Sequence, residues 1–198
     1  MRTFMPLIFV LPFTLSACGG STTSNVDNFN SIGSTKIAAI ADEIDNSQVT
    51  ELTATPTENS ASMNGIFVIE ATTPSSVDGV GGQMSMNANF AAGTVNGSMT
   101  DLFEIEDFAG ERYGSDITGS ANYSGTLNVG AGGGNDIAAT GTGSYVGTDG
   151  VTYNANLTLD GAFFRRPNTD LGAVGFIDAT VTGGGSNFTG EGAYIVAE

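Results

Sequence analysis

The chain has 198 residues, with 5 Lys and Arg against 21 Asp and Glu and no His, a formal charge of −16 at pH 7. That balance argues against nucleic acid as a partner, and the missing His removes Ser-His-Asp and Cys-His nucleophiles, most zinc sites and the usual haem ligand. With 29 Gly, no Trp and only 13% charged residues, the composition points to short strands and tight turns in one domain large enough to bury a core without disulfides.

The chain opens with Arg2, an apolar run from Leu7 to Leu15 interrupted by Pro12, and the small-residue end Ser16-Ala17-Cys18. This is the layout of a cleaved export signal over residues 1–17, and its apolar run is too short to span a bilayer. Leu15-Ser16-Ala17-Cys18-Gly19 resembles the bacterial lipobox. That resemblance implies covalent lipid on Cys18 as the first mature residue and a membrane contact made through the anchor alone. Gly19, where Asp would signal retention at the inner membrane, implies an outer-membrane lipoprotein facing either the cell surface or the periplasm. Cys18 is the only Cys, so a free thiol in an oxidising compartment is explained at once.

Residues 18–35 are mostly Ser, Thr, Asn and Gly with little to bury, and they are expected to form a flexible, disordered tether. Residues 36–60 hold a short helix and a connector. Ile37, Ile40, Ala41 and Ile44 fall at i, i+3, i+4 and i+7, a stripe that packs on the domain or on a partner. Val49 to Ser62, with Thr55-Pro56-Thr57, reads as extended.

Over residues 61–198 the period changes to two. Met84, Met86, Ala88 and Phe90 alternate with Gln83, Ser85, Asn87 and Asn89; Ile117 to Leu127 and Val151 to Leu159 alternate as cleanly. Further strands are expected near Ile66 to Ala71, Thr94 to Phe103, Ile137 to Val146, Leu171 to Val181 and Phe188 to Val196. Asp78-Gly79, Ala92-Gly93, Gly130 to Asn135 and Asp149-Gly150 supply the turns. Eight consecutive antiparallel strands leave two edges unless the last pairs with the first. The expected fold is therefore all-β, an eight-stranded antiparallel up-and-down β-barrel with a short N-terminal helix. Inward glycines (Gly119, Gly125, Gly141, Gly143, Gly190, Gly192) would give bulky Phe, Met and Tyr room in a narrow barrel. The inverted arrangement, a membrane-spanning barrel, is disfavoured: aromatic girdles and a terminal aromatic are missing, and an anchor would be redundant.

Several stretches together resemble the β-barrel domain of transferrin-binding protein B and related bacterial surface lipoproteins. Ala61-Ser62-Met63-Asn64-Gly65-Ile66-Phe67 is similar to that domain's opening strand. Met86 to Phe90 followed by Gly93-Thr94-Val95-Asn96-Gly97 resembles its next hairpin, and Leu159 to Phe176 resembles its Gly-x-Phe-Tyr-Gly-Pro turn. In this chain Phe164 replaces Tyr, Arg165-Arg166 replace the Gly before Pro, Asp170 replaces Glu, and Ala173-Val174 fall where Gly is usual. The resemblance covers Ala61 to Glu198 and implies one barrel on a surface lipoprotein, without the handle domain that carries most transferrin contacts.

Asp101, Glu104, Glu106, Asp107, Glu111 and Asp116 surround Leu102, Phe103, Ile105 and Phe108. They are read as a solvated acidic loop, with Ca²⁺ binding as the sharper alternative. Gly132-Gly133-Gly134-Asn135-Asp136 is read as a hairpin loop and Gly141 to Gly147 as strand, so no metal or cofactor besides the lipid on Cys18 is expected. Arg165 and Arg166, two of the four basic residues of the mature chain, sit beside Pro167 at a hairpin tip. They either bind an anionic ligand or partner carboxylate, or offset local acid. The function expected is a non-enzymatic, lipid-anchored binding or display module, with protein partners at the barrel loops and iron or haem-carrier capture among the roles. The alternatives are a lipocalin-like carrier of a small apolar ligand and a structural envelope protein.

Overall fold

The computed structural model describes residues 24–72, 79–110, 112–130 and 136–198. Cys18, the expected signal segment, Asp78, Glu111 and Gly132 to Asn135 lie outside them. Two short strands, Thr50–Glu51 (β1) and Arg112–Asp116 (β5), accompany eight long ones. In chain order these are Ser60–Ala71 (β2), Gly79–Asn89 (β3), Thr94–Asp107 (β4), Thr118–Leu127 (β6), Ile137–Val146 (β7), Thr152–Arg165 (β8), Leu171–Gly183 (β9) and Ser186–Ala197 (β10). Each long strand pairs antiparallel with the next, and β10 returns to pair with β2 from Gly190↔Ala71 to Ala197↔Asn64. The meander closes into an eight-stranded barrel, and closure removes the edges that an open sheet would present.

Alternation sorts the side chains. Inward positions hold Met63, Phe67, Met84, Met86, Met99, Tyr123, Leu159, Phe163 and Ile177, all buried in one cluster. Outward positions across β3 to β9 form rows of hydroxyls and amides. One row, in register, runs Ser85, Ser98, Asn122, Thr142, Asn156, Thr180. This is the reverse of a barrel whose outer face meets hydrocarbon. No described helix is long and apolar enough to cross a membrane.

One end of the barrel is closed by chain. After β1 pairs with the end of β8, Leu52 donates its N–H to Phe163 O at 3.1 Å and packs against the interior cluster. Asn59 O then accepts Phe90 N–H at 2.9 Å. The connector expected to be merely extended therefore passes under the barrel. Asp136 is buried at the same end, where its carboxylate accepts N–H groups of Phe163 at 3.1 Å and Gly130 at 3.4 Å. Those bonds satisfy a carboxylate that burial would otherwise penalise.

The helical segment corrects the expected tether. Asn25–Ile32 (α1) runs through a π-helical turn, Gly33–Ile37, into Ala38–Asp45 (α2), so the part of the tether from Asn25 to Thr35 is helix, and the helix is not confined to Lys36–Ile44. Ser24 and Asp27 form a reciprocal capping box at its start, and Asp116 of β5 accepts the Asn25 N–H at 3.0 and 3.1 Å, a negative charge at the positive end of the helix. The apolar residues that drive docking are sparse: Phe29, Ile37 and Ile40 are buried, while Val26, Ile32 and Ile44 are partly so. They lie on the outside of the barrel against Ile66, Val68, Phe103, Ile105 and Phe164, which make a second, external core. The helix ends with Ser47 at φ 54, Gln48 N–H bonding Glu43 O at 2.8 Å and Ser47 N–H bonding Ile44 O at 3.0 Å, a Schellman closure in which Ser stands where Gly is favoured.

Two contacts lock the lower half of this helix. Lys36 Nζ donates to Ala197 O at the end of β10. Arg166, in the β8–β9 turn, grips Glu43 with Nε and one NH2, both at 2.8 Å. That hydrogen-bonded guanidinium holds the Glu43 carboxyl below its ordinary range, against the opposing effect of burial. A depressed folded-state pKa contributes stability above the usual carboxylate range and loses it as pH falls through the folded value. Glu43→Gln is accordingly expected to lower stability by about 1–2 kcal/mol at neutral pH. Urea unfolding at a series of pH values should show the gap between variant and parent closing below about pH 4.

Candidate functional site

At the opposite end, no described segment crosses the barrel as the connector does at the closed one. There the inward side chains become small, with Ala121, Gly143, Ala155, Ala179 and Gly190 on five successive strands. A Cβ at Gly143 would lie 2.5 Å from Ala121 Cβ, so the strands approach too closely for a larger residue. The space left is an apolar cavity of about 60 Å³ walled by Phe67, Met99, Leu102, Leu157, Val181 and Phe188. This is well below the roughly 300 Å³ at the lower bound of usual small-molecule pockets. Its walls are carbon, and Met99 is the adaptable one among them.

Aromatic rings form the rim. Tyr145 and Tyr153 stack with centroids 5.2 Å apart and planes 22° apart, and Tyr153 meets Phe188 edge-on at 5.9 Å. Tyr153 Oη donates to Asp149 Oδ2 at 2.7 Å, and Val151 N–H donates to Asp149 Oδ1 at 2.9 Å. The phenol's hydrogen bond, followed by that of the backbone, holds the Asp149 carboxyl below its ordinary value. The same bond, followed by burial, raises Tyr153. Burial, then the neighbouring Tyr153, Glu104 and Asp149, pushes Tyr145 up as well. The rim is therefore two neutral phenols beside negative charge.

Glu104 reaches this site through a break in the strand pattern. At Asp101 (φ 51) β4 carries a bulge against β3, with the register shifting between Gly81 and Gln83. The extra residue flips the faces: Leu102 joins the interior cluster, while Phe103 and Ile105 turn outward beneath the helix. Glu104, buried with the inward set, accepts Thr148 N–H at 3.0 Å and Thr148 Oγ1–H at 2.7 Å. It thus holds the β7–β8 turn at the mouth. Strict alternation from Thr94 would have assigned Glu104 to the outer face, and the bulge leaves no mark in the sequence beyond Asp in a left-handed position.

The segment read as a solvated acidic loop is a hairpin with divided duties. Besides Glu104 at the mouth and Asp116 at the helix start, Glu106 pairs with Arg112 at 2.9 Å and Asp107 accepts Gly110 N–H at 2.8 Å. Among the described residues no group of three or more Asp, Glu, Cys or His is gathered to hold a metal.

Arg165 and Arg166 lie at the closed end, away from the cavity, and both have internal carboxylates. Arg165 NH1 and NH2 bond Glu58 at 3.1 and 3.2 Å, and Arg166 takes Glu43. The arrangement is that of arginines offsetting local acid and fastening the connector and helix to the barrel. Both guanidinium forks are engaged within the chain.

Compared with protein-family models, with curated proteins and with solved structures, the chain matches none.

Proposed function

We propose that the protein is a non-enzymatic binding module of the outer membrane, anchored by lipid on Cys18 and built on a barrel like that of transferrin-binding protein B, with recognition at the open end. The observation that carries this reading is the apolar cavity under an aromatic rim. Elsewhere the interior is filled by Met, Phe and Tyr side chains, so a carrier enclosing a whole ligand in the manner of a lipocalin is the poorer match. A ligand seated by one end, with the rest exposed, suits a display module.

Two measurements on the full chain test the proposal. Metabolic labelling with palmitate should mark the parent and not Cys18→Ala, and labelling of neither removes the anchor from the reading. Native mass spectrometry of protein purified from membranes should show a bound small molecule, absent from Ala155→Leu, whose larger side chain fills the cavity. A parent that carries no molecule and takes up no apolar probe contradicts the binding role.

A further inference from the structure

We infer that the open end selects a cationic amphiphile, a quaternary alkylammonium whose apolar end enters the cavity while its head lies at the tyrosine rim; the inference rests on the binding role proposed above. The distribution of charge decides the sign of the head. Lys36, Arg165 and Arg166 are all at the closed end or on the lower helix, and Arg112 is held by Glu106. The rim carries Glu104 and Asp149 with no opposing base among the described side chains that contact it.

The groups converge on one spot. A Cβ built on Gly147 would lie 2.9 Å from Asp149 Oδ1, 3.0 Å from Tyr153 Cε2 and 3.4 Å from Glu104 Oε1. Two acidic oxygens and an aromatic edge therefore meet within a few ångströms, next to a cavity lined by carbon. Both carboxyl groups already accept protein donors, Thr148 for Glu104 and Val151 and Tyr153 for Asp149. What they still offer is field more than directed acceptors, and a diffuse cation responds to field alone. A quaternary ammonium, which donates no hydrogen bond, fits that offer. A fatty acid has the right tail and the wrong head.

Calorimetry of the full chain with hexyltrimethylammonium, hexanol and hexanoate separates the possibilities. The ammonium is expected to bind about tenfold tighter than hexanol, and hexanoate weaker than both, with the spread shrinking as salt is raised. In Glu104→Gln/Asp149→Asn, and in Asp149→Asn alone should the double variant not fold, the ratio of ammonium to hexanol affinity should fall towards one. Hexanol binding without preference for the cation, or hexanoate binding as tightly as the ammonium, overturns this inference and leaves the cavity reading intact. No binding of any of the three overturns both.

Discussion

Phe29→Ala is expected to cost about 3–5 kcal/mol, the range for truncating a fully buried aromatic. Phe29 has no exposed surface and meets Phe103 edge-on at 5.0 Å and Tyr113 at 6.1 Å. It is also the chief apolar contact of α1, whose other face is Asn, Ser and Asp. An isolated eight-residue helix is unstable in water, so the loss should not spread evenly. Hydrogen exchange and limited proteolysis should show Asn25–Ile32 opening first, with α2 still held through Ile40 and Arg166, before global unfolding. A variant that loses stability while that segment stays protected would contradict the assignment of Phe29 as its fastening.

Gly175→Ala is expected to destabilise by about 3 kcal/mol or more, at the top of the range for overpacking. Gly175 faces Gly161 across the β8–β9 pair and Tyr194 across the β9–β10 pair. The Tyr194 ring lies over both glycines: a Cβ at Gly175 would overlap Asp160 O and come within 2.6 Å of Tyr194 Oη. Neither neighbour can yield, since Asp160 belongs to a strand paired on both sides and the Tyr194 ring is packed in the interior. Tyr194 Oη is buried with no hydrogen-bond partner among the described residues, unlike Tyr123 Oη, which donates to Ser85 O at 2.7 Å. The companion Tyr194→Phe should therefore be nearly neutral or slightly stabilising. Thermal melts of the two variants would separate a steric role of the ring from a polar one; a strongly destabilised Tyr194→Phe would show that its hydroxyl is satisfied after all.

The barrel was legible because the inward set from Met84 to Phe90, or from Ile117 to Leu127, needs only period two to be seen. Legibility failed where a residue faced a partner other than the barrel interior. Ile66 and Val68 of β2, and Phe164 beside Phe163 in β8, break the alternation because the helix buries the outer wall there. Both strands consequently run several residues beyond their readable cores. The helix itself was hidden by composition, since Asn25 to Thr35 offers only Val26, Phe29 and Ile32 as apolar anchors. The π-helical turn also shifts their spacing relative to Ile37 and Ile40. The sequence shows Glu104 as an acid but not as part of the mouth, because one bulged residue decides which way it points. The arginines stand out in the sequence by their charge, yet Glu43 and Glu58 lie more than a hundred residues away, and nothing local announces such pairs.

The place where α1 begins fixes how the molecule would be moored. Asn25 bonds Asp116 and Leu102 O beside the open end of the barrel, and the helix runs from there down to Arg166. With lipid on Cys18 as proposed, the stretch from Cys18 to Ser24 can span roughly 20 Å at full extension. The leash would then be short and attached at the mouth, so the cavity would hang within reach of the bilayer's headgroups and its guest could be exchanged with the leaflet instead of drawn from bulk water.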